Sequence, residues 1–300
     1  MKYNKPALSL EQQVAKLASR GLIFNAPDAA IHHLKHLNYY RLSGYWLRYQ
    51  QQDTSLFCAG TTFEQVLADY AFDRDLKLLV LAAVETVEVS VRTRWAYELG
   101  MRHGPHAHLD SSLFKSGSQN WTHAMAVARL VDTVKQSKEP FIQHLRDRYD
   151  ERLPPIWAVV EVMSLGQISR WFANLRHASD RQTIAADYGM DERLLASFLH
   201  HVSVVRNLCA HHARFWDRKA PLTVRLPRKN PAALVQSLNP SRGECAYNTL
   251  ALLTWWVSRI NPRTDWPMRV KQHVLAHPPA LAEMGFPPNF EQLPVWTNGT

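Results

Sequence analysis

The sequence predicts an all-α protein. Glycine is scarce, at 11 of 300 residues, and no run of alternating apolar and polar residues is bounded by hairpin turns. Helical spacing recurs almost throughout instead, most clearly from Asp73 to Leu99, a stretch that lacks Gly and Pro and stops at Gly100. Its apolar positions Leu76, Leu79, Val80, Ala83, Val87 and Val91 form one stripe.

Taken in order, Ser9 with Gln12 makes a capping box that opens a first helix, and Gly21 closes it. Asp28 starts a second helix that runs to Leu37. Thr62 with Gln65 is another capping box, ahead of the long helix. Further helices are expected at about 121–136, 140–148, 156–174, 180–188, 192–210 and 243–259. The segment from His103 to Asn120, rich in Gly, Ser and His, reads as a surface loop. A second irregular piece runs from Ala220 to Pro231, and prolines accumulate after Asn261. The expected organisation is an N-terminal helical extension (1–55), a helical core (56–260) and a C-terminal wrapping segment (261–300).

Composition narrows the function classes. Thirty-five Lys and Arg against 26 Asp and Glu give a net charge of +9, and arginine dominates it, 24 to 11. Arginine grips phosphate bidentately, so a polyanionic partner is favoured over an acidic protein. Cys58, Cys209 and Cys245 stand far apart without a CxxC pair, which excludes a disulfide framework and suits a reducing cytosol. No stretch approaches the roughly 20 apolar residues of a membrane span, and the N-terminus lacks the apolar core of a signal peptide. A soluble cytoplasmic protein without a cofactor is expected.

Fifteen histidines raise the question of zinc. His32 and His36 are i,i+4, but there is no HExxH, and no Cys or carboxylate follows at a ligand spacing. They read as a polar helix face, and no metal is expected. Cys209 beside His212 falls on an apolar stripe and reads as packed. No glycine-rich phosphate loop is present.

One segment stands apart. Arg206-Asn207 is followed after three residues by His211, and an Arg-Asn pair at that distance from a His arises by chance about 0.05 times in such a chain. Histidine can serve as base or acid near neutrality, arginine stays cationic and can stabilise phosphoryl oxygens, and asparagine can orient either without adding charge. On an ideal helix Arg206 and His211 point about 140° apart, with Arg206 leaning toward the apolar stripe of Leu195, Val202 and Cys209. Either the helix ends between them or help comes from elsewhere. His212 or His200 could supply a second acid–base group. A structural alternative makes Arg206 a buried partner of Glu85, Glu88 or Glu161, with His211 ending a helix. Basic residues Arg214, Arg218, Lys219, Arg225, Arg228 and Lys229 follow closely and are expected along a nucleic-acid path.

The Arg-Asn-x3-His arrangement resembles the motif of the HEPN ribonucleases. Tyr40 to Trp46, YRLSGYW, resembles a signature of the Abi family of abortive-infection proteins, the AbiD/AbiF-like group. Leu153 to Gly166, LPPIWAVVEVMSLG, and Met284 to Pro287, MGFP, resemble further blocks of that family in the same order. The resemblance implies a HEPN-like helical bundle, RNA as substrate class and a role in antiphage defence. It places Arg206, Asn207 and His211 at the catalytic positions, and pairing of two motifs across a homodimer would bring the groups together. Glu161 in the LPPIW block is a lesser candidate, as active-site neighbour or structural partner. The expected function is a metal-independent endoribonuclease, toxin-like or abortive. The alternatives are a silent HEPN protein that captures a small regulatory RNA, or a helical scaffold that recognises a phage or host protein. A neutralising antitoxin partner fits the first.

Overall fold

A computed structural model describes residues 2, 4, 6–117, 120–218 and 224–297. All regular structure among them is helical, as the sequence predicts. The chain divides into two compact units, residues 1–76 and 77–300, and the boundary falls within one continuous helix.

In the first unit, α1 (Leu10–Ala18) opens with the reciprocal Ser9–Gln12 capping box, and α2 (Pro27–His36) starts with proline at its first turn. The His32 and His36 rings lie edge to face at 5.0 Å on α2. The YRLSGYW segment lies in α3 (Tyr39–Trp46), capped by Asn38. Leu42, Tyr45 and Trp46 are buried while Tyr40 is 72% exposed, so most of this motif packs. The Tyr45 hydroxyl donates to Asp73 Oδ2 at 2.7 Å, and burial together with that carboxylate pushes the tyrosine pKa up.

The long helix, α4 (Phe63–His103), begins earlier than Asp73, behind the Thr62–Gln65 capping box. It also runs through Gly100 and ends where Gly104 takes a left-handed φ of +86°. Gly100 serves close approach instead: a Cβ there would sit 3.4 Å from Ile156 Cγ2 and 3.5 Å from Trp157 Cε3. Val80, Ala83, Val87, Val91, Trp95 and Leu99 carry the apolar stripe into the second unit, all nearly inaccessible. Burying each such aliphatic chain is worth about 1.5–3 kcal/mol relative to exposure.

The segment after α4 is irregular, yet it is not a surface loop throughout. Ala107, His108, Leu113 and Phe114 are buried, and Phe114 packs edge-on against Trp171 at 5.1 Å. Then come α5 (His123–Gln136) and α6 (Pro140–Arg148). The single helix expected at 156–174 is two, α7 (Ile156–Val162) and α8 (Leu165–Ala173), because Ser164 and Gln167 form a capping box between them. Trp95 of α4 meets Trp171 of α8 at 5.9 Å.

Next come α9 (Ala178–Ala186) and α10 (Glu192–Ala210), which packs along α8 and α9. After α11 (Ala232–Ser237), the apolar α12 (Ala246–Ile260) is buried over most of its length, and His201 of α10 meets Thr249 Oγ1 at 2.8 Å. The tail carries α13 (Trp266–Leu275), α14 (Pro279–Glu283) and α15 (Pro294–Thr297). Phe286, between α14 and α15, packs against Tyr247 of α12 with ring centroids 4.7 Å apart.

Candidate functional site

Helix α10 carries the Arg-Asn-x3-His motif at its C-terminal end. Asp191 caps the other end, its Oδ1 accepting from the backbone N–H groups of Arg193 and Leu194 at 2.8 and 2.9 Å. Leu195, Phe198, Leu199, Val202, Val205 and Cys209 recur at helical spacing and are buried. That anchoring turns His200, Asn207 and the last turn outward. Cys209 is 1% exposed and packed, as its stripe position predicts.

Arg206 is exposed rather than sunk in the apolar stripe, and its Nη1 donates to Asn207 Oδ1 at 3.3 Å. No carboxylate lies within ion-pair distance of it among the described residues. Glu88 pairs with Arg92 at 2.5 Å instead. Glu161 is exposed and lines a separate depression with Thr133, Glu139 and Phe141. The structural alternative of a buried, carboxylate-paired Arg206 is therefore not what the chain adopts.

The helix does end between Arg206 and His211. His211 is the C-cap, with φ −87° and ψ 12°, and its N–H donates to the Asn207 carbonyl at 2.9 Å. His212 follows at φ +58°. Its N–H donates to the Cys209 carbonyl and that of Ala213 to the Leu208 carbonyl, both at 3.0 Å, which completes a Schellman closure. Both imidazoles are exposed. A left-handed backbone costs an L-residue about 1 kcal/mol, more if it is β-branched. In chemical denaturation, His212→Val should therefore be less stable than His212→Gly by about 1–2 kcal/mol. Equal stability of the two variants would mean that the turn is not held in this form.

Beside the motif lies a cavity of about 330 Å³ between α5, α8 and α10. His200, Ser203 and Asn207 enter it from α10, Arg129 from α5 and Arg170 from α8. No Asp or Glu is among the described residues that line it. The structure thus brings His200 and Asn207 to one cavity, with Arg206 hydrogen-bonded to the latter. His211 stands at the helix end outside the lining.

The basic residues after the motif are spread out. Arg214 is held in an ion pair with Asp217 at 2.9 Å, whereas Arg218, Arg225, Arg228 and Lys229 are exposed. The Arg225 N–H donates to Ser197 Oγ at 3.1 Å, which returns that segment to α10. Lys219 lies outside the described residues. Arg129 and Arg170 were not legible as site residues, since only the packing of three helices makes them neighbours of the motif.

The histidines from the end of α4 onward also have defined places. His103 meets Asp180 Oδ2 at 3.1 Å, beside the Arg102–Asp180 pair at 3.0 Å. His108 is wholly buried, and neither ring nitrogen has a hydrogen-bond partner. Burial, reinforced by His106 and His123, pushes its pKa down to about 3. Among the described residues no three His, Cys, Asp or Glu side chains converge as a metal site would require, and no helix is long and apolar enough to cross a membrane.

No curated protein and no solved structure matches the chain. The family model described as Abi-like protein matches residues 32–217. That span takes in the YRLSGYW helix, the LPPIW block and the whole Arg-Asn-x3-His motif, and the chain belongs to the Abi-like protein family.

Proposed function

We propose that the protein is a metal-independent endoribonuclease of the HEPN type that acts in abortive infection, or as a toxin-like effector. Family membership supports the abortive-infection role. The observation that carries the nuclease reading is the end of α10. Arg206, Asn207 and His211 are all exposed there, and Asn207 is shared with a cavity free of carboxylates.

In this reaction RNA supplies its own nucleophile. One imidazole takes the proton of a 2′-OH, the 2′-oxygen forms a bond to phosphorus, and the bond to the 5′-oxygen breaks. The leaving oxygen receives a proton from a second group. The products are a 2′,3′-cyclic phosphate and a 5′-hydroxyl. His211 serves as one acid–base group and His200 or His212 as the other. Arg206 stabilises the charged phosphoryl oxygens, and Asn207 holds the Arg206 guanidinium in place. Two protomers pair about a two-fold axis near residues 200–216, which doubles the histidines available to one substrate. Arg218, Arg225, Arg228 and Lys229 flank the path of the strand.

The test incubates the purified protein with total RNA and maps the new ends, with light scattering on the same preparation. Cleavage should survive EDTA, require a 2′-OH at the scissile position and leave cyclic phosphates, and the protein should be a dimer. Cleavage abolished by EDTA, or equal cutting of 2′-deoxy substrate, would overturn the mechanism. A strict monomer that cleaves would remove the dimer. RNA bound tightly but left uncut would favour capture of a small regulatory RNA instead.

A further inference from the structure

We infer that the cavity between α5, α8 and α10 seats a single nucleotide unit of the RNA, its phosphate clamped by Arg129 and Arg170. The inference rests on the reading of the protein as RNA-directed, and it names two residues that no sequence motif marks.

Charge at the cavity favours an anion. Several arginines of the second unit are ion-paired within the fold: Arg92 with Glu88, Arg94 with Glu98 and Asp187, Arg102 with Asp180 and Arg181 with Glu192. Arg129 and Arg170 have no ion pair among the described residues, are exposed, and come from different helices to line one cavity without carboxylates. Two guanidinium groups lining one cavity offer planar forks that match phosphate oxygens.

The cavity walls are chemically mixed. His200 and Asn207 add hydrogen-bonding groups on the α10 side, while Trp121 and the 40% exposed Met125 add an apolar side. A phosphate needs the first surface and a base needs the second. At about 330 Å³ the cavity lies at the low end of small-molecule sites, with room for one nucleotide rather than a duplex. Asn207 belongs to the cavity and also accepts from Arg206, so a phosphate seated here lies next to the proposed catalytic group.

The test is calorimetric titration of the full chain with adenosine 3′-monophosphate and, separately, with adenosine. The nucleotide should bind at least tenfold more tightly than the nucleoside. Arg129→Ala with Arg170→Ala should weaken nucleotide binding at least tenfold, and the paired lysine substitutions should restore part of it. Both positions are exposed, and circular dichroism checks that the variants fold. Absence of nucleotide binding at millimolar concentration, equal binding of nucleoside and nucleotide, or undiminished binding by the alanine pair would each overturn the inference. Its failure is separable from that of the nuclease. A protein that binds the nucleotide through these arginines yet cuts no RNA keeps the clamp and loses the nuclease. One that cuts RNA with an unchanged KM in the alanine pair keeps the nuclease and loses the clamp.

Discussion

His211→Ala and Arg206→Ala should each slow RNA cleavage by about 10²-fold or more, the loss expected for an acid–base group or an electrostatic stabiliser. Neither change should unfold the protein, because both side chains are exposed and the backbone bonds that close the helix are kept. The exposure of Arg206 matters here, since a buried arginine paired to a carboxylate would have made its removal a stability experiment. Asn207→Ala should fall between these variants and wild type, as it removes only the acceptor that steadies Arg206. Single-turnover rates on a defined RNA, with circular dichroism of each variant, give the answer. A folded His211→Ala protein that cuts as fast as wild type would sink the assignment.

Acid should destabilise the protein through His108. Its folded pKa is pushed down to about 3 from an ordinary 6.5, first by burial and then by His106 and His123. Below about pH 6.5 the unfolded chain takes up a proton that the folded chain refuses, so this residue makes stability fall as pH falls and the loss levels off near pH 3. The slope is about 1.4 kcal/mol per pH unit, or on the order of 3 kcal/mol by pH 4. Neither ring nitrogen has a hydrogen-bond partner, so His108→Leu breaks no such bond and should flatten this part of the profile. Urea unfolding between pH 7 and pH 4 measures both proteins. An identical acid slope in the variant would show that the buried ring is not the source.

How much of this was legible in the sequence depended on how local each determinant is. Ser9 with Gln12, Thr62 with Gln65, and Asp191 mark helix starts through bonds spanning two or three residues. Gly100 misled because glycine has two uses. The long helix keeps it for contact with Ile156 and Trp157 and stops at Gly104, a distinction that depends on a distant segment. The Ser164–Gln167 box was equally local, but it sits in an apolar run whose periodicity hides the break. The burial of His108 and Phe114 in a polar-looking segment, and the arrival of Arg129 and Arg170 beside Asn207, arise only when distant helices pack.

The Schellman turn after α10 sets a rule for what this surface can tolerate. The place of His211 follows from backbone bonds that run from His212 and Ala213 back to Cys209 and Leu208. Those bonds fix the direction of its Cα–Cβ bond, and rotation about χ1 and χ2 sets the ring within that bearing. Surface residues near this helix end that take no part in the motif, the cavity or the basic path are therefore comparatively free to drift. Chain length is not: one residue added or lost between Ala210 and Ala213 shifts the register of both closing bonds and swings the imidazole to another bearing.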